Sequence, residues 1–166
     1  MKLRVLVSSA LLAMLLLACT AIPASASANS TYRWRLFLTI NEVRRAHGLR
    51  ALHFSTGLRT IAQRHSDDMV ARDYFAHTSP TGSTLYSRVV HSAFQTYGAW
   101  LAGECLAWGT GTIGSPRDTV RMWLDSPEHR VILLSRNYTW VGIGRATGRF
   151  LGRSDAAVWT ADFGHR

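Results

Sequence analysis

The first 28 residues restrict what the rest of this chain can fold into, because they have the order of an export signal. Lys2 and Arg4 precede an apolar run from Val5 to Ala18, and small residues follow it from Ala24 to Ala28. Such a run is short for a membrane span and is typical of a signal peptide. We expect cleavage after Ala28, so that residues 29–166 fold outside the cell.

The two cysteines of the chain bear on its processing and its stability. Leu16-Leu17-Ala18-Cys19 resembles a bacterial lipobox, and in this alternative Cys19 would be lipidated and would anchor the protein. Cleavage after Ala28 would instead remove Cys19 and leave Cys105 without an intramolecular disulfide partner. The exported fold must then be stabilised by its hydrophobic core.

Length and charge favour one basic extracellular domain. Residues 29–166 can build a sizeable core, and no linker or repeat divides them. The formal net charge falls from +9 to +7 when Lys2 and Arg4 are removed, since the leader contains no acidic residue. The mature chain has arginine but no lysine, and guanidinium groups pair well with phosphate and carboxylate. These arginines favour an anionic surface as partner, while export and their scattered placement argue against nucleic acid.

Apolar periodicity and cap residues predict helices through the first part of the mature chain. The predicted helices are 31–47, one from the Ser55 cap to about Tyr74, 84–94, one that begins at Ser115-Pro116, and a short one that begins at Ser126-Pro127-Glu128. His65 belongs to the apolar stripe of the second helix. We expect it to be a hydrogen-bonded core histidine, outside the functional site.

The C-terminal part favours strands. Residues 140–144 and 156–163 are rich in β-branched and aromatic side chains and predict an antiparallel pair. A further strand is predicted within Trp100 to Trp108, around Glu104. The expected fold class is α+β, with helices packed on a small, mainly antiparallel sheet.

Three polar residues are the candidate site, because each lies in a short segment bounded by turn-forming residues. They are His77, Glu104 and His129. Two imidazoles and a carboxylate can hold a divalent ion such as zinc, with His77 and His129 as metal ligands and an open position for water. In a second interpretation, Glu104 only hydrogen-bonds to one or both histidines and ties the segments together across a cleft.

Seven short motifs follow one another in an order that resembles a known family. They are Asn41-Glu42-Val43-Arg44, Gly48-Leu49-Arg50-Ala51-Leu52, Phe75-Ala76-His77, Gly103-Glu104, Trp123-Leu124-Asp125-Ser126-Pro127-Glu128-His129-Arg130, Val141-Gly142-Ile143-Gly144 and Trp159-Thr160-Ala161-Asp162-Phe163-Gly164. Together they resemble the bacterial secreted branch of the CAP superfamily, the SCP-like extracellular domains, over residues 35–164. The resemblance implies a CAP-type α-β-α sandwich with an open cleft, in which His77, Glu104 and His129 are three of the four cavity residues.

The chain departs from the family pattern at two positions. Animal members commonly have a glutamate where this chain has Ser126, so the fourth acid is missing, and Asp125 or Glu128 would have to replace it. Cys105 follows Glu104 where asparagine is usual, which removes an amide hydrogen-bonding group.

Cys105 and Ser126 are secondary candidates as nucleophiles. Adjacent Glu104 and the apolar context disfavour a Cys105 thiolate, and Ser126 is better explained as a helix cap. For the whole domain we expect a secreted, noncatalytic binder of a lipid or cell-envelope ligand. The alternatives are a metal-dependent hydrolase or peptidase, in which Glu104 accepts a proton from water, and an extracellular protein-interaction module.

Overall fold

The computed structural model describes residues 24–94 and 98–166, which form five helices and four strands. The helices are α1 (Ala24–Ala46), α2 (Thr56–Arg72), α3 (Leu85–Val90), α4 (Pro116–Asp125) and α5 (Pro127–Leu133). The strands are β1 (His53–Phe54), β2 (Leu101–Thr110), β3 (Trp140–Phe150) and β4 (Arg153–His165). The predicted antiparallel pair and the further strand around Glu104 are confirmed as β3, β4 and β2.

The helix boundaries differ from the predictions at two places. α1 is already helical at Ala24, the first described residue, and not only from Thr31, so the predicted cleavage position after Ala28 lies within this helix. The rest of the predicted signal peptide, including the Cys19 lipobox, lies outside the described residues. α3 ends at Val90 rather than Phe94, which is buried in the core beyond the helix.

Cap residues explain why the other helices begin where they do. The Ser55 hydroxyl accepts a hydrogen bond from the Leu58 amide, and Thr84 and Ser87 form a capping box at α3. Ser115 caps α4, and Pro116 follows it in the first turn. A backbone amide there would have no carbonyl partner within the helix, so proline loses no hydrogen bond at this position. The predicted caps at Ser55 and Ser115 are confirmed.

The four strands form one mixed sheet with helices on both faces. The strand order is β1-β3-β4-β2; β1 is parallel to β3, and the other pairs are antiparallel. Alternate β4 residues, such as Trp159 and Phe163, pack in one core with α1 and α4, whereas Val158 packs on the other side with Met69 of α2. This confirms the predicted α+β class and α-β-α layering, and β2 is left at one edge of the sheet. No helix within the described ranges is both long and apolar enough to cross a membrane.

The first two motifs hold the end of α1 against the neighbouring loops. Asn41 Nδ2 donates to the Leu52 carbonyl at 3.1 Å, and its Oδ1 accepts from the Leu52 amide at 2.8 Å. The buried Arg44 guanidinium donates to the carbonyls of Arg50, Leu133 and Ser135. These bonds join α1, the loop before β1 and the end of α5.

Two glycines of β3 let α2 lie directly on the sheet. A Cβ at Gly142 would overlap the backbone of Leu58 and Arg59, and one at Gly144 would overlap the Ala62 carbonyl. The backbone atoms of a helix cannot rotate away as a side chain can. The Gly-Xaa-Gly spacing of this motif therefore fixes the distance between α2 and β3.

We expect Gly144→Ala to reduce the free energy of unfolding by about 3 kcal/mol, because the methyl group would force α2 away from β3. Urea denaturation measures this loss. Gly148→Ala is the matched control in the same strand, since its Cβ would meet only the Val70 side chain, at 3.1 Å. Equal stability of the two variants would contradict the close-packing explanation.

Candidate functional site

Glu104 lies in the middle of the site, on the edge strand β2. It is within the strand that the sequence predicted around it, and it pairs in register with Asp162 of β4. Its side chain is only 2% exposed. A carboxylate that is removed from water needs charged or hydrogen-bonding partners.

Both oxygens of the Glu104 carboxylate are engaged. His77 Nδ1 donates to Oε1 at 2.7 Å, and Arg88 Nη2 donates to Oε2 at 2.5 Å. Burial alone would raise the pKa of Glu104, but the hydrogen bond from His77 and the charge of Arg88 together lower it. Glu104 is therefore an ionised anchor for the two basic side chains.

His77 is the basic residue of the site that is exposed to solvent. It lies in the loop after α2, its side chain is 59% exposed, and its Nδ1 bond to Glu104 leaves Nε2 outside that pair. The hydrogen bond to Glu104 raises the pKa of His77 above the ordinary histidine value, against the effect of partial burial. The protonated fraction of this imidazole at neutral pH is thus larger than that of a free histidine.

His129 is near His77 but is oriented by a different partner. Its Nδ1 is 2.9 Å from the Ser126 hydroxyl, to which it is hydrogen-bonded. Ser126 holds the N-cap position of α5, as predicted, but its side chain makes no cap bond to the helix backbone. Burial, and then the charge of His77, lowers the pKa of His129. The structure therefore places the two candidate histidines within electrostatic range, one more basic and one less basic than usual.

Arg88 and His65 lie at the site although neither was predicted to be there. Arg88 of α3 has a side chain only 9% exposed and also donates from Nη1 to the His77 carbonyl at 3.1 Å. His65 is buried and donates from Nε2 to the Ala76 carbonyl, as expected of a core histidine, but the same nitrogen lies 3.9 Å from Glu104 Oε2. Excluding His65 from the site is thus not supported by its position. Burial lowers the pKa of His65 despite the charge of Glu104.

Asp162 is a second buried acid beside Glu104. Neither of its oxygens has a hydrogen-bond partner among the described residues, and the residue is fully buried. Burial raises its pKa well above the ordinary value, and the nearby charge of Glu104 raises it further. The two carboxyl groups therefore differ in state, with Glu104 ionised and Asp162 protonated.

The remaining candidates contribute little to the cleft. Cys105 is buried, its Sγ is 3.8 Å from the His129 carbonyl, and burial raises the pKa of its thiol, which agrees with the argument against a nucleophile. Asp125 is exposed at the end of α4. Glu128 is also exposed, but its charge acts on both His77 and His129. Of the two proposed replacements for the fourth acid, only Glu128 acts on the cleft histidines.

The donor set fits a metal ion only in part. Carboxylate-oriented imidazoles such as His77 are common zinc ligands, and Nε2 of His77 and of His129 lie outside the bonds that orient the two rings. Glu104, however, is used by His77 and Arg88, and the described residues contain no group of three or more His, Cys, Asp or Glu positioned to hold a metal ion. Protein zinc sites use at least three ligands. The residues in place therefore do not form a zinc site by themselves.

Comparison with known proteins gives one family and two bacterial relatives. A family model described as CAP, Cysteine-rich secretory protein family, matches residues 37–163. The uncharacterized protein YkwD of Bacillus subtilis strain 168 is 31% identical over 144 residues, which are 87% of this chain and 50% of YkwD. The uncharacterized membrane protein YlbC of the same strain is 35% identical over 106 residues, 63% of this chain and 28% of YlbC. This chain therefore spans half or less of the length of these relatives.

Solved structures show the same fold. An extracellular protein containing an SCP domain from Bacillus anthracis strain Ames matches with a TM-score of 0.72 and 26% identity, over 88% of this chain and 44% of that one. An outer surface protein from Borrelia burgdorferi matches with a TM-score of 0.64 and 23% identity, over 79% of this chain and 90% of that one. At this identity the second similarity concerns the fold alone.

We expect Glu104→Gln to lower the pKa of His77, because the charged partner of its Nδ1 is lost. The same change would leave Arg88 buried without its counter-ion and should cost about 3 to 5 kcal/mol of stability. Histidine titration by NMR and urea denaturation measure the two effects. Glu128→Gln is the control, since it removes an exposed charge that acts on His77 without contacting it, and it should change both quantities less. An unchanged His77 pKa in Glu104→Gln would contradict the assigned cause.

We expect Asp162→Asn to raise the melting temperature near neutral pH. In the unfolded chain Asp162 is ionised above about pH 4, whereas the folded protein holds its proton to higher pH, so stability falls as pH rises toward the folded pKa. Asparagine cannot ionise, so folding of the variant requires no proton uptake at this position. Its increase in melting temperature over the parent protein should therefore become smaller as pH approaches 4. Thermal unfolding from pH 4 to 8 measures it, with the exposed Asp155→Asn of the same strand as control. A gain independent of pH would contradict a protonated Asp162.

Proposed function

Because the chain belongs to the CAP family of cysteine-rich secretory proteins, we propose that it is an extracellular module that binds an anionic group of a lipid or other cell-envelope ligand, without catalysis, in the cleft of His77, Glu104 and His129. The membership confirms the resemblance found in the seven motifs. The observation that carries the proposal is that both oxygens of Glu104 are already bonded.

A general base works best when its pKa lies near the working pH. The hydrogen bond from His77 and the charge of Arg88 lower the pKa of Glu104 instead, and both basic groups compete with water for its oxygens. The carboxylate thus serves to orient and charge His77. This role favours binding over hydrolysis.

The exposed part of the cleft offers hydrogen-bond donors and positive charge. The His77 ring is mostly exposed and more basic than a free histidine, and His129 lies within range of its charge. A protonated imidazole pairs well with a carboxylate or phosphate oxygen. Such groups occur in fatty acids, phospholipids and wall polymers, which are the ligand classes that we propose.

Location outside the cell agrees with this ligand class. The predicted leader, the family description and the extracellular protein of similar structure all point in that direction. We propose release after cleavage at Ala28, with anchoring through a lipidated Cys19 as the alternative. In either form the cleft would face the cell envelope.

A metal-dependent hydrolase is the second candidate, and one observation favours it. The Glu104–His77 bond is the type of contact that orients a metal-binding imidazole. A hydrolase of this kind would require a third zinc ligand in addition to His77 and His129. Calorimetric titration with zinc decides between the two, because one ion per chain, lost in His77→Gln and in His129→Gln, would favour the hydrolase.

We expect the protein to bind vesicles that contain phosphatidylglycerol, or dissolved palmitate, more tightly at pH 6 than at pH 8. His77 gains its charge as pH falls through its raised pKa, so binding should weaken as pH rises through that value. His77→Gln should abolish this pH dependence and reduce affinity by about tenfold, the effect of one charge-assisted hydrogen bond. Vesicle flotation and palmitate calorimetry measure it.

His47→Gln is the matched control, because His47 is an exposed histidine at the end of α1. Vesicles of phosphatidylcholine serve as the neutral lipid. If neither anionic probe bound, or if His77→Gln and His47→Gln behaved alike, the proposed role of the cleft would be wrong.

A further inference from the structure

A polar cavity lies apart from His77, Glu104 and His129, between the end of α1, the loop before β1 and the loop before β3. Its volume is about 490 Å³, which is within the range of small-molecule sites. Arg44, Arg50, His53 and Arg136 line it together with Tyr138 and Thr139. Its lining contains three arginines and a histidine but no carboxylate. The cavity therefore has one sign of charge.

Arg44 differs from the other charged residues that line this cavity because it is almost completely buried. It is 1% exposed, and its hydrogen bonds run from Nε to the Arg50 carbonyl and from Nη1 to the carbonyls of Leu133 and Ser135. Nη2 takes part in none of these bonds. No ion pair of the described residues includes Arg44, and burial lowers the pKa of its guanidinium. A buried cation with only carbonyl partners keeps its net charge, which a bound anion would offset.

Arg50 and Arg136 extend this charge to the mouth of the cavity. Both are exposed, and neither forms an ion pair within residues 24–94 and 98–166. Guanidinium groups match the oxygens of a phosphate in a two-pronged geometry, and converging cations of one sign concentrate an anion in a cavity. The volume exceeds that of a phosphate group alone and leaves room for the alcohol to which it is esterified.

We propose that this cavity, which we call the arginine pocket, binds a phosphate ester, with Arg50 and Arg136 on the phosphate oxygens and Arg44 as the buried positive charge behind them. The site does not use His77, Glu104 or His129. It would give the domain a second contact with phosphate-bearing envelope polymers, independent of the ligand in the cleft.

The test is an NMR titration of the full-length protein with glycerol 3-phosphate, inorganic phosphate and glycerol. We expect saturable shifts of the Gly48 and Leu49 amides with both phosphates and none with glycerol. Tighter binding of glycerol 3-phosphate would identify an ester as the ligand, whereas equal or tighter binding of inorganic phosphate would overturn that part of the proposal. Absence of saturable shifts would overturn the site itself.

The variant Arg50→Gln/Arg136→Gln should weaken phosphate binding by about tenfold or more, because it removes two charge-assisted contacts. Both positions are exposed, so the fold should not suffer. The control Arg117→Gln/Arg153→Gln removes the same charge from exposed positions outside the pocket and should change binding less than about twofold, the effect of bulk charge alone. Equal weakening in the two variants would show that only net charge matters.

His77→Gln separates this proposal from that for the cleft. It should leave the shifts of the Gly48 and Leu49 amides with glycerol 3-phosphate unchanged, while Arg50→Gln/Arg136→Gln should keep the pH dependence of palmitate binding. Loss of the Gly48 and Leu49 shifts in His77→Gln would overturn the arginine pocket. Each proposal can thus fail while the other stands.

Discussion

The site depends on one buried charge, the carboxylate of Glu104 on the edge strand β2. Burying an ion costs several kcal/mol unless opposite charge and hydrogen bonds replace its water. Arg88 from α3 and His77 from the loop after α2 supply both. Since these partners come from different segments, the ion pair also fastens α3 and the loop to the sheet. The position of His77 at the cleft is therefore a consequence of how Glu104 is kept charged.

The same carboxylate acts differently on each titratable neighbour, and burial decides the outcome. His65 is buried and loses basicity although it is 3.9 Å from Glu104, whereas His77 is exposed and gains it. Asp162 is completely buried beside the ionised Glu104, and burial together with that negative charge keeps the proton on its carboxyl group. Of these two histidines, the more basic one is therefore the one exposed to solvent, where a ligand would meet it.

The sequence predicts those parts of the fold that depend on local signals. Serine and proline mark the start of α4, and the apolar run of β4 fits a strand that is buried on both faces. Residue type, the turn-forming residues around each segment and the order of the motifs linked His77 to Glu104, and the structure contains the hydrogen bond between them. These features need no knowledge of which strands pair.

Arg88 and Asp162 could not be assigned to the site in that way. Arg88 has the sequence context of a surface helix arginine, and only the packing of α3 on β2 turns it toward Glu104. Asp162 meets Glu104 through the β2–β4 register, which joins residues far apart in the chain. The helical residues before Thr31 were not predicted for another reason, since the alanines and serines that resemble a cleavage region also have helix-compatible backbone preferences.

Arg44 and Arg88 both have little exposed side chain, but their charges have different effects. Arg88 has a carboxylate partner, so its charge is cancelled locally and its geometry is what matters. Arg44 is held by three carbonyl oxygens, which orient the guanidinium but carry no net charge to cancel it. Its field therefore reaches the adjoining cavity, where Arg50 and Arg136 add to it. A structural role for Arg44 at the end of α1 would explain its hydrogen bonds, but not why every charged residue that lines the cavity beside it is cationic.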